Sequence, residues 1–272
     1  MSAYFVQGGG LVATAMVACA RLGAECELFS LLGDDAVGDQ ILTELVEEGI
    51  SAQGVARIEG AGSPFSFIHV DPESGERTIF HRSGSSLKWP TDRGFEAVAA
   101  CDALLIDDVY PDLALAAARH ARAHGVPVVA DMVPGVEKAN LLGVTDVMIA
   151  PRHFARKIGC DNDLDQALEA IHDLGPTTAV ITLGAEGWVY SDSTGCGRGN
   201  AFAVEVVDTT GAGDTFHGAF AYGLGRGWDT ARRCEFASAV AAIKCMKPGG
   251  RTGLPSLDQT LEFLRERSKM EW

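Results

Sequence analysis

"ALLIDDVYPDLALAAARHARAHGVPVVAD", residues 103–131, is the stretch whose reading decides the fold. A short apolar run at 103–108 gives way to a segment, 112–125, with helical spacing and a glycine at its end, and a second apolar run follows at 126–131. That order predicts strand, helix, strand. A helix between two strands implies a crossover, and so parallel strands. The pattern continues outward with a strand at 144–150, a helical stretch from about Pro151, an acidic-started helix near 163–174, and strands in "TAVITLG" (178–184) and "GWVYSD" (187–192). Such alternation predicts an α/β fold, with a largely parallel sheet covered by helices on both faces. Ligands in these sheets sit beyond the carboxyl ends of the strands, which directs attention to loops such as 207–214.

Upstream the pattern differs. From about Gly54 to Trp89, "SPFSFIHVD", the turn-like "PESGE" and "RTIFHRSG" predict an antiparallel hairpin, a small β flap over one end of the sheet. The tail from Trp228 to Trp272 reads as helical with a break at "KPGGRTGLP" (247–255). No repeat or long linker divides residues 1–272, which read as a single domain carrying the flap at about 54–89.

Composition excludes several classes. With 47% apolar and 22% charged residues the chain has a globular make-up, and its formal charge of −15 disfavours nucleic acid or an anionic membrane as partner. No run of about 18 apolar residues and no secretory leader is present, so a cytoplasmic location is expected. The seven cysteines are odd in number and lack C-x-x-C spacing, which predicts buried, reduced thiols. P-loop, G-x-G-x-x-G, G-x-S-x-G and H-E-x-x-H signatures are all absent.

"VDTTGAGDTFHG" (207–218) carries the chemistry. Gly211 and Gly213 allow close backbone approach at a helix start, where free N–H groups and the positive end of the helix dipole favour an anion. Asp214 would repel a bound phosphate unless the chemistry needs a carboxylate there. A base that takes a proton from an attacking hydroxyl, beside donors that stabilise a phosphoryl group, meets both conditions. The plainer alternative is an ordinary turn, with Asp214 placed by the helix dipole.

The longer string "VVDTTGAGDTFHGAF" (206–220) resembles the C-terminal signature of the ribokinase-like (PfkB) carbohydrate kinases, D-T-x-G-A-G-D. Residues 8–41, "GGGLVATAMVACARLGAECELFSLLGDDAVGDQI", look like that family's glycine-glycine segment and its G-D-D-x-x-G signature, and the flap looks like its β lid. The resemblance implies a three-layer αβα sandwich that moves the γ-phosphoryl of ATP to a sugar hydroxyl. It also implies Mg²⁺, leaves a monovalent cation open, and suggests a homodimer joined through the lid. Asp214 would be the base, and the backbone of Gly211, Ala212 and Gly213 the anion hole. Thr182, Gly184 and Gly187 in "TLGAEG" match a segment near ATP, although a turn between strands is compatible with the same residues. Gly9 and Gly10 match the glycines that approach the sugar. Asp34 and Asp35 could touch substrate, and Asp35 is counted with Gly9 and Gly10 as substrate-binding, although at least one of the two aspartates is expected to cap the helix that follows. Asp131 faces the right end of the sheet for phosphate or metal work, or is a satisfied turn residue. His217, one turn beyond Asp214, is expected to serve packing or surface.

Three departures bear on the expectation. Ala150 and His153 stand where the family carries the Asn and Glu of N-x-x-E, which leaves the metal-organising residues unknown, with Asp131 as a candidate. Thr14 replaces an Asn common in the glycine segment. Thr14 and the tail "FASAVAAIKCMKPGGRTGLP" are shared with a branch resembling the sulfofructose kinases, and this points to a ketose or modified ketose; a nucleoside kinase or a non-catalytic binding protein are the alternatives. Only "MSAYFVQG" precedes Gly9, against roughly thirty residues in the family, a length that suits a strand plus hairpin segments. Loss of a central strand would leave buried backbone groups unpaired, at about 1–3 kcal/mol each, so the chain as given is expected to be weakly active or inactive.

Overall fold

In the computed structural model, which describes residues 6–70, 77–90 and 93–272, the chain divides into a unit Glu27–Gly94 and a larger unit formed by the segments on either side of it. Residues 6–10 run without a strand into α1 (Leu11–Arg21), the first element of the larger unit. The smaller unit holds β1 (Ser30–Gly33), α2 (Ala36–Glu47), β2 (Val55–Ile58), β3 (Phe65–Val70) and β4 (Arg77–Arg82). Strands β1 and β2 pair in parallel across α2. The expected hairpin is formed by β3 and β4, antiparallel with Phe67 opposite Phe80; its expected turn at 72–76 lies outside the described residues.

The larger unit continues with β5 (Leu104–Asp107), α3 (Pro111–Ala123), β6 (Val128–Asp131), α4 (Ala139–Leu142), β7 (Val147–Pro151), α5 (Arg152–Lys157) and α6 (Leu164–His172). After these come β8 (Thr178–Thr182), β9 (Trp188–Asp192), β10 (Gly195–Gly199), α7 (Ala212–Gly225), α8 (Thr230–Cys245) and α9 (Leu257–Arg267). The sheet order is β10-β9-β8-β7-β6-β5, parallel from β5 to β8 and antiparallel at β9 and β10.

Both faces of this sheet are covered, as the unbroken apolar runs require. Val128, Val129 and Ala130 are fully buried, as are Met148, Ile149 and Ala150, although neighbours along a strand point to opposite faces. One face, carrying Leu105, Val129, Ile149 and Val180, packs against Phe216 and Phe220 of α7 and Phe236 and Val240 of α8. Helices α3, α5 and α6 pack against the strands too, and α1, α7, α8 and α9 pack on one another in succession. The same two-residue period continues through Leu105 to Asp107 and through Val129 to Asp131. It therefore sends these paired carboxylates, at the ends of β5 and β6, to the face that carries α7.

The described cysteines are all free; Cys19, Cys160, Cys234 and Cys245 are buried, whereas Cys196 is exposed. No helix among the described residues is long and apolar enough to cross a membrane.

Phe220 is 0% exposed and Val136 is 82% exposed. Phe220→Ala is expected to cost about 3–5 kcal/mol in denaturant unfolding, and Val136→Ala less than about 0.5 kcal/mol. A Phe220→Ala loss no larger than that of Val136→Ala would contradict the packing of α7 on the sheet.

Candidate active site

The glycine-rich loop takes its shape from both ends. Gly211 is the N-cap of α7 with φ +75°, in the left-handed region, and a Cβ there would stand 2.9 Å from the carbonyl oxygen of Gly250. Any side chain at 211 would meet both strain and a clash. Upstream, the Asp208 carboxylate accepts the N–H groups of Thr210 and Gly249, each at 2.8 Å, while the N–H groups of Val207 and Asp208 donate to the Cys245 carbonyl at 2.8 and 3.2 Å. The loop thus rests on the 245–250 segment. At α7 the Ala212 N–H turns back to Thr209 O (3.1 Å), and Gly213 is exposed, with open space where a side chain would stand. A ligand can approach the first turn of the helix at Gly213.

Asp214 stands in that first turn, half-buried, with its pKa pushed up to about 7. Burial is the largest cause and the Asp131 carboxylate adds to it; His217, the Asp214 backbone amide and Arg251 pull the other way. Asp131, 9% exposed, is raised by burial and by Asp108, against the opposing influence of His217. Asp107 is also raised by burial, although it accepts the N–H groups of Val109 (3.0 Å) and Val12 (3.4 Å). Three acidic groups with disfavoured charge thus share the carboxyl ends of β5 and β6 and the start of α7.

His217 is buried between them, as packing was expected to place it, but its contacts are specific. Nδ1 faces the Gly213 carbonyl at 2.8 Å, Nε2 faces the Ile149 carbonyl at 3.0 Å, and Asp131 Oδ2 lies 3.4 Å from Nδ1. A ring with one proton satisfies one of these carbonyls; with two protons it satisfies both, and its charge then faces Asp131. Asp131 Oδ2 is itself buried without a hydrogen bond.

Gly9 and Gly10 are exposed, and Gly10 caps α1 with φ +88°. Arg251, 5% exposed, donates to the Gly9 carbonyl at 2.9 Å and to the Thr14 hydroxyl at 3.4 Å. The Thr that departs from the family pattern is therefore a partner of this guanidinium. Sequence reasoning passed over Arg251, which lay in a stretch read only as a helix break, and over Asp107, which looked like the end of a strand.

Thr182 ends β8, and Gly184 (φ +62°) and Gly187 (φ +99°) shape the turn to β9. A Cβ at Gly187 would lie 2.0 Å from Gly199 O, so packing alone requires that glycine, while exposed Gly184 faces solvent. In the smaller unit Asp35 caps α2, accepting from Gly38 N at 2.8 Å and Ser63 N at 2.9 Å, and its pKa falls to about 2, first through the Ser63 side chain. Asp34 pairs instead with Arg57 at 3.0 Å. Ala150 is fully buried and His153 is exposed. No group of three His, Cys, Asp or Glu side chains among the described residues could hold a metal ion by itself.

A profile described as pfkB family carbohydrate kinase matches residues 4–257. The ribokinase of Haemophilus influenzae is 33% identical over 274 residues, covering 96% of this chain and 88% of that protein. The crystal structure of a putative ribokinase from Agrobacterium tumefaciens superposes with a TM-score of 0.88 at 31% identity, covering 97% of this chain and 88% of its own. Arabidopsis thaliana ribokinase, solved with ribose and ATP, shares the fold at 24% identity with a TM-score of 0.85, over 97% of this chain and 88% of its own. With residues 4–257 matched by the family profile and nearly the whole chain covered by a relative 33% identical, this protein belongs to the pfkB family of ATP-dependent carbohydrate kinases.

Proposed function

We propose that the protein phosphorylates a primary hydroxyl of a small sugar. Asp214 takes the hydroxyl proton, the freed oxygen attacks the γ-phosphorus of ATP, and the backbone at Gly211, Ala212 and Gly213 stabilises the charge that grows on the transferred group. The observation that carries this reading is one carboxylate with a pKa of about 7 at the start of a helix entered through glycines. A base with that pKa is half ionised near neutrality and still has a strong pull on a proton.

Magnesium, when bound with the nucleotide, would neutralise phosphate charge. The fit is a sparse one. This chain offers Asp131, with its unbonded Oδ2, rather than a cage, and that suits an ion held chiefly by phosphates and water. Thr182, Gly184 and Gly187 would line the nucleotide, and Gly9 and Gly10 the sugar. The resemblance of Thr14 and the 236–255 tail to the sulfofructose kinase branch favours a ketose or modified ketose, and the relatives called ribokinase make ribose the competing acceptor. Asp35 is left to its cap. The exposed Phe65, Phe67 and Phe80 of the hairpin support a lid that a second copy covers; stacking of a nucleoside base on the same rings is the second reading.

Asp214→Asn should lower kcat by about 10²–10⁴-fold with ATP binding unchanged. ATP consumption against fructose, fructose 6-phosphate, sulfofructose, ribose, 2-keto-3-deoxygluconate and adenosine identifies the acceptor. ATP binding without turnover of any of them would turn the reading to a non-catalytic protein.

The pH dependence has a definite sign. The carboxylate must be ionised to act, so kcat/KM should rise as pH passes about 7. The folded-state pKa lies above the ordinary 3.8, so the stability linked to Asp214 is full below about pH 4 and is lost as pH rises through about 7. Asp214→Asn should therefore melt above the wild type at pH 8, and this advantage should vanish by pH 4. A Tm difference independent of pH would contradict the burial of this carboxylate.

A further inference from the structure

Behind the glycine loop lies a charge that the phosphoryl-transfer scheme does not use. Lys244, in the last turn of α8, is 0% exposed. Its ammonium donates to the Asp208 carbonyl oxygen at 2.8 Å, three residues before Gly211. The Asp208 carboxylate points elsewhere, to the N–H groups of Thr210 and Gly249. Burial works against the charge of that carboxylate, yet its pKa stays lowered through those bonds and the nearby Lys244 charge. The residue after Lys244 offers its own carbonyl to Val207 and Asp208. One turn of α8 therefore grips Asp208 through backbone and ammonium together. Gly253 packs against the Lys244 carbonyl so closely that a Cβ would lie 2.3 Å from its oxygen, which fixes the backbone from which this lysine projects.

The bond to the Asp208 carbonyl sets this ammonium apart from an apolar side chain of similar volume. Burying a lysine is costly unless it is paired, and an apolar side chain of similar volume commonly does as well or better. What an apolar chain cannot do is fix a carbonyl oxygen. We propose that Lys244 is a positioning residue: its buried ammonium clamps the Asp208 carbonyl and so holds the 208–213 backbone in the geometry that a transferred phosphoryl group needs. The inference rests on the kinase reading for its catalytic half and on the loop geometry for the rest.

Lys244→Met keeps the volume and removes the charge. In the full chain with the acceptor identified above, kcat should fall by about 10²-fold, the scale of a misplaced catalytic group. KM for the sugar should be nearly unchanged, and Tm equal to or above that of the wild type. Backbone amides at 209–214 should exchange with solvent faster by a similar factor, read by hydrogen exchange and mass spectrometry. Lys244→Ala should recover rate with added methylammonium chloride, whereas tetramethylammonium, too large and without an N–H, should not restore it and the wild type should not respond. A Met variant with wild-type kcat and wild-type exchange would overturn the proposal, as would an Ala variant indifferent to methylammonium; if the Met variant does not fold, the Ala variant decides. A wild-type chain without turnover would sink the kinase reading instead, and exchange at 209–214 would still test the clamp.

Discussion

The structure depends on keeping two carboxylates, Asp131 and Asp214, in a corner that disfavours their charge. Each is raised by burial, and Asp131 raises Asp214 further. They do not expel one another because His217 is wedged beside them, its Nδ1 near Asp131 Oδ2 and its ring tied to carbonyls of β7 and α7. The sheet supplies the rest of the constraint. Because side chains alternate along a strand, the residues that bury Leu105 and Val129 against α7 also commit Asp107 and Asp131 to that side. A one-residue slip in β6 would turn Asp131 away from His217 and exchange the side chains that meet the two covered faces of the sheet. Core packing and site chemistry are thus one constraint, since the register that serves the first fixes the second.

The loop that presents Asp214 has no regular structure of its own to hold it, and it borrows rigidity from a distant part of the chain. Cys245, Gly249 and Gly250 supply a carbonyl, an amide and a close backbone surface, and Arg251 reaches across to Gly9 and Thr14. The break between α8 and α9 therefore acts as a platform. On one side it carries the glycine loop, and on the other it steadies the start of α1. A helix running unbroken through 247–255 would bury its N–H groups in its own ladder and could offer Asp208 nothing.

How much of this was legible follows from which interactions are local. The βαβ alternation was readable because strand and helix periods are properties of a few consecutive residues, and β5 to β9 lie where the apolar runs predicted them. The strand β10, "GCGRG", was not readable: it has no apolar pattern, and its Gly197 and Gly199 are pressed by the rings of Tyr190 and Trp188, a tertiary reason invisible along the chain. Asp214 announced itself because a carboxylate at an anion-binding helix start is a local contradiction. Arg251 and Lys244 did not, since nothing near them in sequence reveals the partners at Gly9, Thr14 and Asp208. A cap at Asp34 or Asp35 was legible because the cap bond closes over three residues, but the choice of Asp35 was not, since Asp34 meets the distant Arg57 only in the fold.

A last tension is electrostatic. The chain carries a formal charge of −15, yet an ATP-dependent kinase must bind a polyanionic nucleotide. Charges more than about 8–10 Å away through solvent are largely screened at physiological salt, so the net charge says little about the site itself. What counts there is the short-range balance. The start of α7 presents the positive end of its dipole, Arg251 and His217 draw down the pKa of Asp214, and burial disfavours the charge of the neighbouring carboxylates Asp107 and Asp131. Burial thus has two effects at one place: it raises the proton affinity of Asp214, and it disfavours the negative charge of the carboxylates around the start of α7. Carboxylates in open solvent at ordinary pKa values would show neither effect, so the local field at the start of α7 is set by burial and short-range partners and not by the net charge.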